Sequence, residues 1–139
     1  MNLSDPTDED IEMLAEHWLF VKAAVRKHCG KELDQSLDDL ALLQQVVDDK
    51  VFPEEELGCF NCIGVALGRV MATNVEGLDW AVIDDEYGRD LTIRYRDTSL
   101  VFNVVTMISG RIEDKEEVDI QFIFDELVRK LDELKDQID

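Results

Sequence analysis

Positive charge is what this chain has least of. Fourteen lysines and arginines stand against 33 aspartates and glutamates, a formal net charge of −19 over 139 residues. A surface of that sign repels nucleic acid and anionic membranes, so neither is expected as a partner. It attracts a basic protein surface, although acidity that serves solubility alone would give the same composition. Histidine is nearly missing: His17 and His28 are the two present, both in the first predicted helix. Serine–histidine and cysteine–histidine nucleophiles therefore lack their parts. No Gly-x-Ser-x-Gly, phosphate loop or dinucleotide fingerprint occurs. Proline occurs twice and glycine seven times. With no low-complexity linker and no internal repeat, one domain over residues 1–139 is expected. Three cysteines are an odd set, suited to free thiols in a reducing cytoplasm. No run approaches the ~20 apolar residues of a membrane span. The opening Met-Asn-Leu-Ser-Asp-Pro-Thr-Asp-Glu-Asp has neither the basic nor the apolar region of a signal peptide, so a cytoplasmic location is expected.

What the chain does have is apolar periodicity. At 45% hydrophobic residues, a chain of this length buries roughly two-thirds of its unfolded surface and folds without disulfide or metal. Thr7 followed by Asp8, Glu9 and Asp10 is a helix start: a capping hydroxyl, then acids at the positive end of the dipole. Ile11, Leu14, Ala15, Trp18, Val21 and Val25 then line one helical face as far as Cys29, and Gly30 stops it. Ser36 opens a second helix with Leu37, Leu40, Ala41 and Val47 inward and Asp38, Asp39, Asp48 and Asp49 toward water. Pro53 and Glu54–Glu56 fit the first turn of a third. From Leu57 to Thr73 that helix carries a single charge, Arg69, so it belongs at the centre. Gly64, Gly68 and Ala72, four apart, let another backbone pack close. Asn74 and Gly77 close the helix.

Strands follow. Residues 79–84 and 91–96 form a hairpin about a turn over 85–90, and Leu100–Phe102 is a third strand. Asn103 caps a short helix through Ile112, unless Val104 and Val105 extend the strand. Asp119 caps the last helix, whose stripe is Ile120, Ile123, Phe124, Leu127, Leu131 and Leu134. Strands clustered between helical runs give an α+β fold: N-terminal helices, a three-stranded antiparallel meander, then C-terminal helices.

The candidate chemistry is thin. Cys59-Phe-Asn-Cys62 is a C-x-x-C, but it lies on a helix that follows a helix, outside the βαβ setting of a redox pair. Together with His28 and Cys29 it would supply four zinc ligands if the segments met in space, a meeting the spacing does not decide. Cysteines buried in the core are the plainer reading, and no metal or cofactor is expected. Asp84, Asp85, Glu86 and Asp90 crowd the hairpin, but the Asp-x-Asp-x-Asp-Gly pattern of a calcium loop is absent and Arg89 sits among them. Arg69, alone on its apolar helix, reads as an ion-pair partner or a snorkelling side chain. Tyr87 in the turn is either an exposed contact residue or a cover for the hairpin's open end.

The segment Gly77-Leu-Asp-Trp-Ala-Val-Ile-Asp-Asp-Glu-Tyr-Gly-Arg-Asp, followed by Phe102 and Thr106-Met-Ile-Ser-Gly-Arg-Ile-Glu, resembles an uncharacterised bacterial family, domain of unknown function 3806. The resemblance covers roughly Leu57 to Leu134 and leaves the first helix outside. Its motifs are a Gly-Leu-x-Trp strand, an Asp-Glu-Tyr-Gly turn and a Thr-Met-Ile-Ser helix. Asn103 stands where the family usually has proline. The resemblance implies a bacterial cytosolic α+β domain and brings no activity, catalytic residue or cofactor with it.

The expectation is therefore a non-enzymatic domain that binds a basic protein, in the manner of an immunity protein that neutralises a toxin. Its contact residues would be Asp84, Asp85, Glu86, Tyr87 and Arg89. One alternative is an enzyme that uses the hairpin carboxylates with Arg89 or Arg94. Another is an adaptor or chaperone with a groove for a helix.

Overall fold

The computed structural model describes residues 2–138, and it begins with an element that the sequence conceals. Asn2–Ser4 is a short strand, β1, paired antiparallel with Val82–Asp84. Three residues are too few to show alternation, and pairing supplies what pattern cannot. Helix α1 (Asp8–Cys29) starts as expected. The Thr7 hydroxyl accepts the Asp10 N–H at 3.1 Å, and the Asp10 carboxylate accepts the Thr7 N–H at 2.8 Å, a reciprocal capping box. At its far end Gly30 takes φ 68°, and its N–H reaches the Arg26 carbonyl. Leu14, Trp18, Val21 and Val25 are buried, but Ile11 stays 55% exposed and leaves the predicted stripe.

Helix α2 (Asp39–Asp48) corrects the expected polar face. Asp39 is buried, not wet, and its carboxylate accepts the N–H groups of Asp34 and Gln35 at 3.1 and 2.7 Å. The loop before the helix has free donors, and one carboxylate satisfies two of them. The Ser36 hydroxyl caps nothing, Leu37 and Ala41 face solvent, and Leu40, Leu43 and Val46 fill the core instead. Pro53–Glu56 forms a turn ahead of α3 (Leu57–Asn74) rather than its first helical turn.

Helix α3 is central. Phe60, Ile63, Val65–Leu67, Val70 and Met71 are all buried. Its small residues meet close neighbours: a Cβ built on Gly64 would lie 2.2 Å from the Val105 carbonyl oxygen, and one on Gly68 would lie 2.6 Å from the Trp80 indole. Arg69 has no ion-pair partner among the described residues. Its guanidinium lies 4.9 Å from the Trp18 ring centroid, which ties α3 to α1 by a cation–π contact.

Strands β2 (Leu78–Asp85) and β3 (Gly88–Tyr95) pair along their full length, from Leu78↔Tyr95 to Asp85↔Gly88. The short strand β4 (Val101–Phe102) pairs with Arg94 and Ile93. The sheet order is β1-β2-β3-β4, four antiparallel strands rather than three. After β4 the chain makes a 3-10 turn, Val104–Thr106, and continues into α4 (Met107–Glu113). Asn103 does not cap either element. Helix α5 (Ile120–Leu134) is capped by Asp119, which accepts the Phe122 N–H at 3.0 Å. Its stripe is buried except for Leu134, which is exposed at the last turn. Gln44 of α2 fastens it by accepting the Ile120 N–H at 2.7 Å and donating to the Val118 carbonyl at 2.9 Å.

Candidate functional site

The hairpin is tighter than its sequence suggests. Pairing runs to Asp85↔Gly88, so Glu86 and Tyr87 alone form the tip, and Arg89 and Asp90 belong to β3. Gly88 takes φ 121°, a conformation that side chains disfavour. The Asp85 carboxylate accepts the Tyr87 N–H at 2.8 Å and holds the turn. Tyr87 is 88% exposed, so it does not cover the hairpin's open end. Asp84, Asp85 and Glu86 are exposed around it, and Asp90 lies exposed on β3. Charges in such positions are solvated and screened, which favours steering over tight contact.

Arg89 faces elsewhere. Its two terminal nitrogens donate to the two carboxylate oxygens of Asp10, at 2.9 and 2.6 Å. Asp10 is nearly buried, and the Arg89 guanidinium holds its carboxyl far below the usual range, against the opposing effect of burial. Asp10 therefore caps α1 and anchors β3 at once. Sequence reading saw Asp10 only as an acid at the positive end of the helix dipole, because nothing in local spacing pairs residues 79 apart.

A cleft of about 350 Å³ opens beside this pair, where α1, the outer end of β3 and the 3-10 turn meet. Met13, Leu91 and Val105 give it apolar surface, and Asp90, Asn103 and Thr106 give it polar groups. Thr92, buried in β3, has its hydroxyl 3.0 Å from the Phe102 carbonyl oxygen and 2.7 Å from the Asn103 side-chain oxygen. That contact marks where β4 leaves the sheet. Neither Thr92 nor Asn103 carried a sequence signal for this role.

The structure keeps the other candidates apart from the hairpin. His28 pairs with Asp49 through its Nε2 at 2.8 Å. The three cysteines are free thiols, Cys62 is buried, and burial pushes all three upward. Among the described residues no three His, Cys, Asp or Glu side chains converge as metal ligands, and no helix is long and apolar enough to cross a membrane.

The family described as Domain of unknown function (DUF3806) matches residues 39–124, more than half of the chain, and the chain belongs to it. The match begins at Asp39 rather than Leu57, so it includes α2, and it ends within α5 at Phe124. The description names no activity. A crystal structure from Bacteroides thetaiotaomicron VPI-5482 is similar to this chain, with a TM-score of 0.85 at 16% identity. The likeness covers 91% of this chain and 47% of that one, so this chain spans about half the length of its structural relative. At that identity the likeness concerns the fold alone. No curated protein matches.

Proposed function

We propose that this member of the DUF3806 family is a bacterial, cytoplasmic, non-enzymatic domain that binds a basic protein partner, as an inhibitor or immunity protein does. The observation that carries the reading is Tyr87: 88% exposed at the apex of a two-residue hairpin tip, directly after the exposed Asp84, Asp85 and Glu86 in the chain. Tyrosine supplies large contact area at small entropic cost and is enriched where interfaces are strongest. The acids around it supply attraction at long range. Acid–base catalysis at the tip would call for buried carboxylates with separated proton affinities, whereas these carboxylates stand in solvent. Arg89 contributes by holding the base of the hairpin to Asp10.

The test is affinity capture of the partner from the source cell, followed by association kinetics across a salt series. The association rate should fall steeply with added salt while dissociation changes less. A rate indifferent to salt removes the physical basis of the reading.

A further inference from the structure

The two long strands of the sheet are only partly flanked. Strand β1 covers Val82–Asp84 of β2, and β4 covers Ile93 and Arg94 of β3. Apart from the end residue Asp85, two stretches are left over, Leu78–Ala81 on β2 and Gly88–Thr92 on β3. An exposed strand edge is a row of backbone donors and acceptors ready to pair with another chain.

The two edges differ. On β2 the Trp80 N–H is already taken by the Asp79 carboxylate at 2.7 Å, so a side chain blunts that edge. On β3 the direction of the backbone follows from Tyr95, whose N–H donates to the Leu100 carbonyl on the β4 side at 3.0 Å. Hydrogen-bonding direction alternates along an antiparallel strand, so Ile93, Leu91 and Arg89 point the same way. Ile93 meets Phe102 of β4. Beyond Phe102 the chain turns off into its 3-10 turn, and among the described residues no hydrogen bond takes the N–H of Leu91 or Arg89. The 350 Å³ cleft lies at that vacant edge.

We propose that this edge accepts an extended basic segment of a partner protein as a fifth strand, antiparallel to β3 and in line with β4. The inference rests on the protein-binding reading and specifies where and how the partner docks. Side chains alternate across a strand. The residues opposite Leu91 would face Met13 and Val105, so they should be apolar, and those between them would lie on the Asp90 side, so they should be basic. The Arg89 charge does not oppose a cationic segment, because Asp10 holds it. A second copy of this chain, carrying the same −19 charge, is disfavoured as the occupant.

The probe is an acetylated, amidated peptide of alternating lysine and valine, titrated into the full-length isotopically labelled chain. Backbone amides of Arg89 and Leu91 should shift and exchange more slowly, while that of Asp90, already turned to β2, should change less. The valine N–H groups would point at β3, so N-methylation at valine should weaken binding about tenfold, while N-methylation at lysine should leave it close to the parent. A glutamate–valine peptide should not bind. Unperturbed Arg89 and Leu91 amides, or equal binding by both N-methylated peptides, would overturn the proposal. If the captured partner binds with salt-dependent association but the peptide gives either of those results, the docking mode fails and the protein-binding reading stands. If the peptide pairs with β3 but the captured partner's rate ignores salt, the reverse holds.

Discussion

Asp10 and Arg89 meet as two parallel hydrogen bonds, 2.9 and 2.6 Å long, which join the first turn of α1 to the second residue of β3. Planar, bidentate pairing of this kind fixes orientation as well as charge. It sets the hairpin against the helix, with the exposed tip beyond it and the open strand edge beside it.

Acid should loosen this joint. The Asp10 carboxyl is held well below its ordinary value of 3.8, chiefly by Arg89. A carboxylate depressed by folding stabilises the fold above its unfolded pKa, and that contribution disappears as the pH falls toward the folded value. Urea denaturation from about pH 5 downward should therefore show a steeper loss in the parent than in Arg89→Ala, whose Asp10 has lost its main stabiliser. Parallel pH profiles would show that the pair contributes nothing to folding.

Asp39 titrates with the opposite sign. Burial raises its carboxyl above the ordinary range, although the Asp34 and Gln35 N–H groups pull it down. Acidification therefore does not remove stability through Asp39. Removing the side chain does: Asp39→Ala strands two backbone donors and should cost about 1–3 kcal/mol. Asp38→Ala, at an exposed position with no side-chain cap bond, should be nearly neutral. Equal denaturation midpoints would place Asp39 in water after all.

The glycines of α3 give a graded test. Gly64→Ala forces a Cβ into the Val105 carbonyl, a backbone group that cannot swing aside, and should cost about 1–3 kcal/mol despite the better helix propensity of alanine. Gly68→Ala meets the Trp80 ring and a Val104 methyl, side chains with some freedom to shift, and should cost less. Gly58→Ala meets nothing within 4 Å and should gain up to about 1 kcal/mol. Thermal unfolding that ranks the three otherwise would contradict the packing described for α3.

Tyr87→Ala should leave folding untouched, since the ring is 88% exposed, but should weaken a captured partner by about 2 kcal/mol. Glu86→Gln at the same tip should cost under about 1 kcal/mol. Full affinity in Tyr87→Ala would move the contact surface away from the hairpin.

The thiols should be sluggish. Burial raises Cys29, Cys59 and Cys62 alike, which lowers the reactive thiolate fraction at neutral pH. Alkylation should be slow in the native protein, slowest at Cys62, and rapid in denaturant. Elemental analysis that finds about one zinc per chain, lost in Cys62→Ser, would restore the metal reading.

Local chemistry was legible in the sequence. The Thr7 cap, the Gly30 stop, the α5 stripe as far as Leu131 and the apolar character of α3 follow from spacing within one or two turns, and each has its expected role in the structure. The turn acids and Tyr87 were also visible, because polar residues around a glycine between apolar alternations mark a hairpin. What only the tertiary structure decided are relationships between distant residues. Strand β1 exists because Val82–Asp84 offers it an edge. Asp39 is buried because the Asp34–Gln35 loop folds back onto it. Arg69 rests on Trp18 rather than on a carboxylate, and Arg89 turns from the hairpin surface to Asp10. Sequence periodicity reports which side of an element is apolar. It carries no information on which polar group finds which partner across the fold, because that depends on the packing of whole elements.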